Sequence, residues 1–164
     1  MRKTYLALVE GVPELEGGVQ RQPIGRHPTE RKKMAVRREG RPAETAWEVL
    51  ERFRGFSWIR WIPKTGRTHQ IRVHAAALGH PVVADLRYGR RPRLTLEDVT
   101  GKAEDRGTVL LDRQALHAAR LEFAHPRTGE AMAVEAPLPA DLEKALKALR
   151  KAARPPRMRR TRSS

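Results

Sequence analysis

The sequence predicts an α+β domain with a mixed, largely antiparallel sheet and a few helices. Two observations point there. Two pairs of apolar, strand-like runs, Glu44–Phe53 with Phe56–Ile62 and Ala115–Phe123 with Glu130–Glu135, are each joined by a short turn, as in a β-hairpin. Two other runs, one following Thr68 and one over residues 140–153, carry apolar residues at helical spacing. Antiparallel hairpins with a few helices make an α+β domain. At 164 residues one compact domain is the expectation, able to bury roughly two thirds of the surface its unfolded chain would expose.

In chain order, Thr4 to Val9 reads as a strand apolar on both faces. Gly11, Pro13, Gly17 and Gly18 make a turn, and Val19 to Pro23 a short returning strand. From Arg21 to Arg41 the chain is mostly polar and basic, with Met34–Val36 its one apolar patch. That stretch reads either as a solvated loop or charge-protected edge strand, or as an arm that touches phosphates. In the strand Phe56–Ile62, Trp58 and Ile62 face one way, Ile59 and Trp61 the other. The two tryptophans read as core or sheet-surface residues rather than base-stacking platforms. Arg90 to Arg106 is polar and reads as an irregular surface loop, and Thr108–Leu111 is too short to assign. Pro137 and Pro139 end the last hairpin. The helix over 140–153 sets Leu142, Leu146 and Leu149 on one face, with Asp141 and Glu143 in its first turn. Residues 154–164 are dense in arginine and read as a disordered basic tail.

Thirty-four lysines and arginines stand against 19 acids, a net charge of +15. Such an excess predicts a polyanionic partner, nucleic acid or an anionic membrane surface. No apolar run approaches the ~20 residues that cross a bilayer, and no secretory signal is visible. The absence of cysteine rules out disulfides and thiolate metal sites and suits a cytoplasmic protein. His69, His74 and His80 lack the three- or four-residue spacing of a helical metal pair, so neither a metal nor a cofactor is expected.

The chain is organised around Thr65 to Gly89, TGRTHQIRVHAAALGHPVVADLRYG. Gly66 permits a tight turn, Thr68 is a candidate N-cap, and Ile71, Ala75 and Leu78 repeat at helical spacing. Gly79 can close the helix, Pro81 forbids its continuation, and Pro81–Ala84 reads as a brief strand. Arg72 falls in the first turn, off the apolar stripe, free to meet an anion.

This run resembles the third motif of the RluA-type RNA pseudouridine synthases, a TGR-x-HQIR-x-H core followed by LGHP and a D-x-x-YG tail. Lys3 to Gly11 resembles the family's KxYxAxVxG strand, Leu116–Ala118 its LHA, Phe123–Pro126 its FxHP, and Ala136–Pro139 its APLP. The resemblance covers about residues 1–140. It implies a pseudouridine-synthase-like fold, with residues 1–139 a partial catalytic domain, 140–153 a C-terminal helix and 154–164 the tail. It also implies RNA, ribosomal or transfer, as partner, with neither membrane nor DNA. Isomerising uridine breaks the N–C1′ bond and forms a C5–C1′ bond. That chemistry asks for a flipped-out base, a carboxylate nucleophile, an aromatic ring under the base, and a cation to hold the carboxylate ionised. By resemblance Tyr5 is the active-site tyrosine, Arg72 pairs with the catalytic aspartate, and Ile71 walls the base pocket. Arg67, His69 and Gln70 shape the rim and contact RNA. Taken alone, a tyrosine in an apolar strand reads as core, and a helical arginine as the partner of a surface acid.

Two departures stand out. The family's nucleophilic aspartate lies in an HRLD segment upstream of the tyrosine strand, and this sequence starts at that strand. Asp85 matches the D-x-x-YG position, which the family uses structurally, so Arg72 is expected to hold a carboxylate that this polypeptide does not supply. The family usually has glycine where Ala84 stands. The expectations are therefore an incomplete domain from an internal start or a split gene, with the Tyr5 strand missing neighbours and an open edge inviting self-association. The alternative is a catalytically silent RNA-binding module that keeps the scaffold.

Overall fold

The structure, a computed structural model, describes residues 1–153, so the basic tail expected over 154–164 lies outside the described residues. Its strands are β1 (Arg2–Glu10), β2 (Gly17–Gln20), β3 (Ile24–Arg26), β4 (Met34–Val36), β5 (Thr45–Arg52) and β6 (Phe56–Pro63). Helix α1 (Gln70–Ala77) follows, then β7 (Leu94–Thr95), α2 (Leu96–Thr100), β8 (Val109–Leu111), β9 (Leu116–Ala124), β10 (Ala131–Glu135) and α3 (Ala140–Ala152). Six strands form one sheet in the order β10-β9-β1-β6-β5-β2, with every neighbouring pair antiparallel. The α+β expectation and both predicted hairpins are met.

β1 is an inner strand. It is flanked by β6 and β9, so the expectation that it lacks neighbours is corrected. β2 does not return onto β1 either; it pairs with β5 and makes the far edge. Register then sorts side chains between faces. Tyr5 lies opposite Trp61, and Ala7 opposite both Ile59 and Leu116. Leu8 lies opposite Trp58 on the other face. Cross-strand partners share a face, so Tyr5, Ile59, Trp61 and Leu116 form one surface, and Leu6, Leu8 and Trp58 the other. α1 packs on the first surface, against β5 and β6. α3 covers the second: Leu146 shares a concavity with Leu6 and Trp58. Leu8, Ile59, Trp61 and Leu142 are fully buried, each contributing about 1.5–3 kcal/mol or more by area. α3 therefore completes the same core as the sheet and does not stand apart from it.

The stretch expected to be an irregular loop is anchored. Leu94 and Val99 are buried, and Thr95 and Asp98 close a reciprocal capping box at the start of α2. Arg91 reaches back to buried Glu10 with two bonds of 2.6 and 3.1 Å, meets Asp98 at 2.7 Å, and lies over the Phe56 ring. The basic stretch 21–41 contains the β3–β4 hairpin, whose Ile24 packs with Ala43 and Val73 of α1 beside Met34 and Tyr88. It is a docked hairpin rather than a loop. Pro81–Ala84 makes no strand, only a single bridge from Val82 to Val9, and the chain turns there, with Ala84 left-handed at φ 56°.

Candidate active site

Gly79 closes α1 in the left-handed conformation, φ 89°, as its position predicts. The start differs from the expectation. His69, not Thr68, is the N-cap, itself left-handed at φ 57°, with no side chain capping the helix. The turn before α1 is held instead by Gln70. Its Oε1 accepts from the Thr65 hydroxyl (2.7 Å) and the Arg67 N–H (3.0 Å). Its Nε2 donates to the Glu44 carbonyl (3.0 Å) and to Thr45 Oγ1 (2.8 Å). Thr45 Oγ1 also lies 2.8 Å from His74 Nδ1, and His74 Nε2 lies 2.9 Å from the Gln22 carbonyl. A carbonyl only accepts, so Nε2 carries the proton and Nδ1 accepts from the threonine. Burial disfavours the imidazolium and lowers the His74 pKa, despite the bond to Gln22. This network explains why a tight turn precedes α1 without any help from Gly66, which has an ordinary φ and open space around it.

Both lone pairs and both protons of the Gln70 amide are used within the protein. Gln70 thus lines the cavity with its amide fully engaged inside the protein.

The cavity holds about 260 Å³ and lies between the start of β1 and α1. That is below the ~300–1,000 Å³ of sites for drug-sized ligands and suits a single ring. Tyr5, Arg67, His69, Gln70, Ile71 and Arg72, all six residues singled out from sequence, line it together. Tyr5 sits beside an irregularity in β9, where Ala119 is the extra residue opposite the Thr4–Tyr5 step of β1. Among the described residues no partner is recorded for its hydroxyl. Ile71, 6% exposed, supplies an apolar wall. The reading of Tyr5 as a plain core residue does not fit its half-buried place at a cavity.

Arg72 is where the structure overturns an expectation. The polypeptide does supply a carboxylate. Arg72 Nε and Nη2 grip Asp85 Oδ2 and Oδ1 at 2.6 and 2.8 Å. The Asp85 side chain is fully buried and that of Arg72 only 14% exposed. The physical reason is the turn after α1: it folds back so that the backbone N–H groups of Arg87 and Tyr88 also donate to Asp85. Gly89 must be glycine there, since a Cβ would sit 2.5 Å from the Asp85 carbonyl oxygen. Burial would raise the Asp85 carboxyl, but Arg72 and these two N–H groups outweigh it and hold it below the usual carboxylate range. A carboxylate with no exposed atom cannot attack a substrate, so Asp85 positions Arg72. Nη1 of Arg72 has no recorded partner among the described residues, and the guanidinium lies 4.9 Å from the Tyr88 ring centre.

Tyr88 links the site to the β3–β4 hairpin. Its hydroxyl oxygen accepts from the Met34 N–H at 2.9 Å and lies 2.9 Å from His69 Nδ1. Burial first, then the positive charges of Arg72 and Arg87, lower the His69 pKa, with Asp85 opposing. The neutral form of His69 is therefore favoured near pH 7, with Nδ1 engaged by the Tyr88 hydroxyl. Arg67 is fixed by one bond from Nε to the Pro42 carbonyl, 2.8 Å. The three histidines do not converge; His80 bonds the Glu10 carbonyl instead. Sequence reasoning assigned no role to Lys3, Gln114 and Leu116, which also line the cavity. Lys3 and Leu116 lie within motifs already quoted, and Gln114 just precedes one. Among the lining residues none is an acid.

The comparisons agree with this geometry. The family model for RNA pseudouridylate synthase matches residues 1–77. Ribosomal large subunit pseudouridine synthase D of Pasteurella multocida is 45% identical over 150 residues, which cover 90% of this chain and 45% of that protein. The protein of the same name from Nitrosomonas europaea is 44% identical over 151 residues, 92% of this chain and 41% of the relative. The chain thus spans less than half the length of these curated relatives. Among solved structures, human RNA pseudouridylate synthase domain containing 1 superimposes with a TM-score of 0.64 at 34% identity, over 94% of this chain and 67% of that one. Human RNA pseudouridylate synthase domain containing 4, at 24% identity and a TM-score of 0.69 over 91% and 62% of the two chains, shares the fold. With its motifs, its sheet and its cavity all in agreement, the chain belongs to the RNA pseudouridylate synthase family and is of RluA type.

Proposed function

We propose that this chain forms the tyrosine–arginine half of an active site that isomerises uridine to pseudouridine in RNA, ribosomal or transfer. The observation that carries the proposal is the convergence of Tyr5, Ile71 and Arg72 on one ring-sized cavity. The flipped uracil enters between Tyr5 and Ile71. A carboxylate-bearing segment, from elsewhere in a longer chain or from a second chain, meets the remaining Nη1 of Arg72, while Asp85 holds the other two donors in place. That carboxylate is the nucleophile. It bonds C1′ as the N1–C1′ bond breaks and the base departs with that electron pair; the base turns, C5 bonds C1′ and displaces the carboxylate, the C5 proton leaves to solvent and N1 takes one up, so the carboxylate is regenerated, the product is an isomer and no oxidant or metal is consumed. Arg67, with its Nη groups uncommitted, and His69 contact the RNA at the rim.

A second reading, the silent RNA-binding module, is favoured by one observation: no acid lines the cavity among the described residues. Tritium release from RNA labelled at C5 of uridine separates the two. The chain alone is expected to release none. Mixed with the amino-terminal half of a relative that carries the missing carboxylate, it is expected to turn over. Intact RNA binding with no release in that mixture would leave the silent module as the better account.

A further inference from the structure

On the sheet face opposite Tyr5, α2 and α3 enclose a groove of about 630 Å³. Its floor is apolar, made by Leu96, Val99, Leu110 and Ala148. Its rim carries Arg54, Lys102, Lys144, Lys147 and Lys151. The last three fall at i, i+3 and i+7 and so share one stripe of α3. At 1.5 Å per residue the stripe runs for about 10 Å, longer than one phosphate group and suited to successive phosphates of one strand.

The state of these cations contrasts with their neighbours. Arg106, Arg113 and Arg150 are each paired, with Glu97, Asp141 and Glu51 respectively. No ion pair is recorded for any of the five rim cations among the described residues. The one acid on the rim, Asp105, accepts from the Thr100 hydroxyl. Five cations against one carboxylate around one concavity leave a net repulsion, and a polyanion relieves it while releasing its own counterions. The surface is concave, which a bilayer cannot follow, and its apolar floor takes a ribose or one splayed base.

We infer that this groove is a second RNA-binding surface, holding single-stranded RNA by its phosphates on the side of the molecule away from the uridine cavity. The inference rests on the reading that the chain's partner is RNA, but not on turnover.

The test uses the full chain and the triple variant Lys144→Gln/Lys147→Gln/Lys151→Gln. All three side chains belong to an exposed or rim surface, and an unchanged thermal melt checks the fold. The probe is fluorescent oligoadenylate, which the uridine cavity has no reason to hold, titrated at several salt concentrations. The variant is expected to bind at least about tenfold more weakly near 0.1 M salt, with the slope of log K against log salt reduced by about two units, ~0.7 for each phosphate no longer neutralised. Arg127→Gln, at an exposed cation of the β9–β10 turn outside both sites, is expected to leave oligoadenylate binding nearly unchanged. Equal affinity and slope in the triple variant would overturn the inference. So would weakened binding to phosphatidylserine vesicles with RNA binding unaffected. Tritium release in the complemented mixture reports separately on the synthase reading, so either can fail alone.

Discussion

Asp85 and Arg72 form the most consequential pair at the residue scale. Removing one member of a buried ion pair leaves the other uncompensated, at a cost of about 3–5 kcal/mol. Asp85→Asn should therefore lower stability by about that amount in chemical denaturation. The pH dependence has a definite sign. The Asp85 pKa is lowered on folding from 3.8, so its contribution is present above that value and lost as pH falls through the folded pKa. The His69 and His74 pKa values are lowered from 6.5. Their contribution is present above 6.5 and lost at lower pH, because the unfolded chain takes up protons first. Stability measured against pH should thus decline in two stages, one beginning below 6.5 and one below 3.8. Asp85→Asn should shrink the acidic stage, to which Glu51, Asp98 and Asp141 also contribute through their bonded partners, and leave the first stage in place. Ala84 carries a different strain. Its φ of 56° is left-handed, costly for any residue with a Cβ and easier for a glycine. Ala84→Gly relieves strain but surrenders a buried methyl group, so its melt should stay near that of the parent. Ala84→Val, branched at Cβ, should lose about 2 kcal/mol or more by the same measurement.

Elements differ in how plainly the sequence announced them. The hairpins β5–β6 and β9–β10 and helix α3 were legible because alternation and helical period both report burial, and each of these elements buries one face. The segment 90–106 was not legible, because what anchors it is an ion pair between Arg91 and Glu10, 81 residues apart, which no local pattern records. Its one local signal was Thr95 followed three residues later by Asp98, a capping pair. The N-cap of α1 was misplaced for a similar reason: Gln70 draws on Glu44 and Thr45, far upstream, to hold the turn that Thr68 was expected to cap. The β3–β4 hairpin hangs on Tyr88. Tyr88→Phe removes the acceptor of the Met34 N–H, and hydrogen exchange at that amide should quicken about tenfold, with smaller changes in β1 and β6. Unchanged protection at Met34 would mean that the hairpin is held without Tyr88, by the packing of Ile24, Ala43 and Val73 and the backbone pairing of Ile24 with Arg41.

The whole molecule places its two inferred RNA-binding surfaces on opposite faces of one sheet, the cavity beside α1 and the cationic groove beside α3. The sequence disclosed the first because its residues cluster in one motif. Arg67, His69, Gln70, Ile71 and Arg72 are neighbours in the chain, and Tyr5 joins them because β1 pairs centrally. It concealed the second, since Arg54, Lys102 and the α3 lysines are far apart and blend into a chain with 34 basic residues. It also concealed the partner of Arg72, because the fold-back that buries Asp85 is a tertiary event. The central claim is that Arg72 gives two of its three guanidinium nitrogens, Nε and Nη2, to Asp85 and keeps Nη1 for an incoming nucleophile. A lysine has a single point of charge and cannot do both. The most direct measurement is tritium release by Arg72→Lys in the complemented mixture. A fall of about 10²–10³-fold with RNA affinity unchanged is predicted; release at the parental rate would contradict the claim.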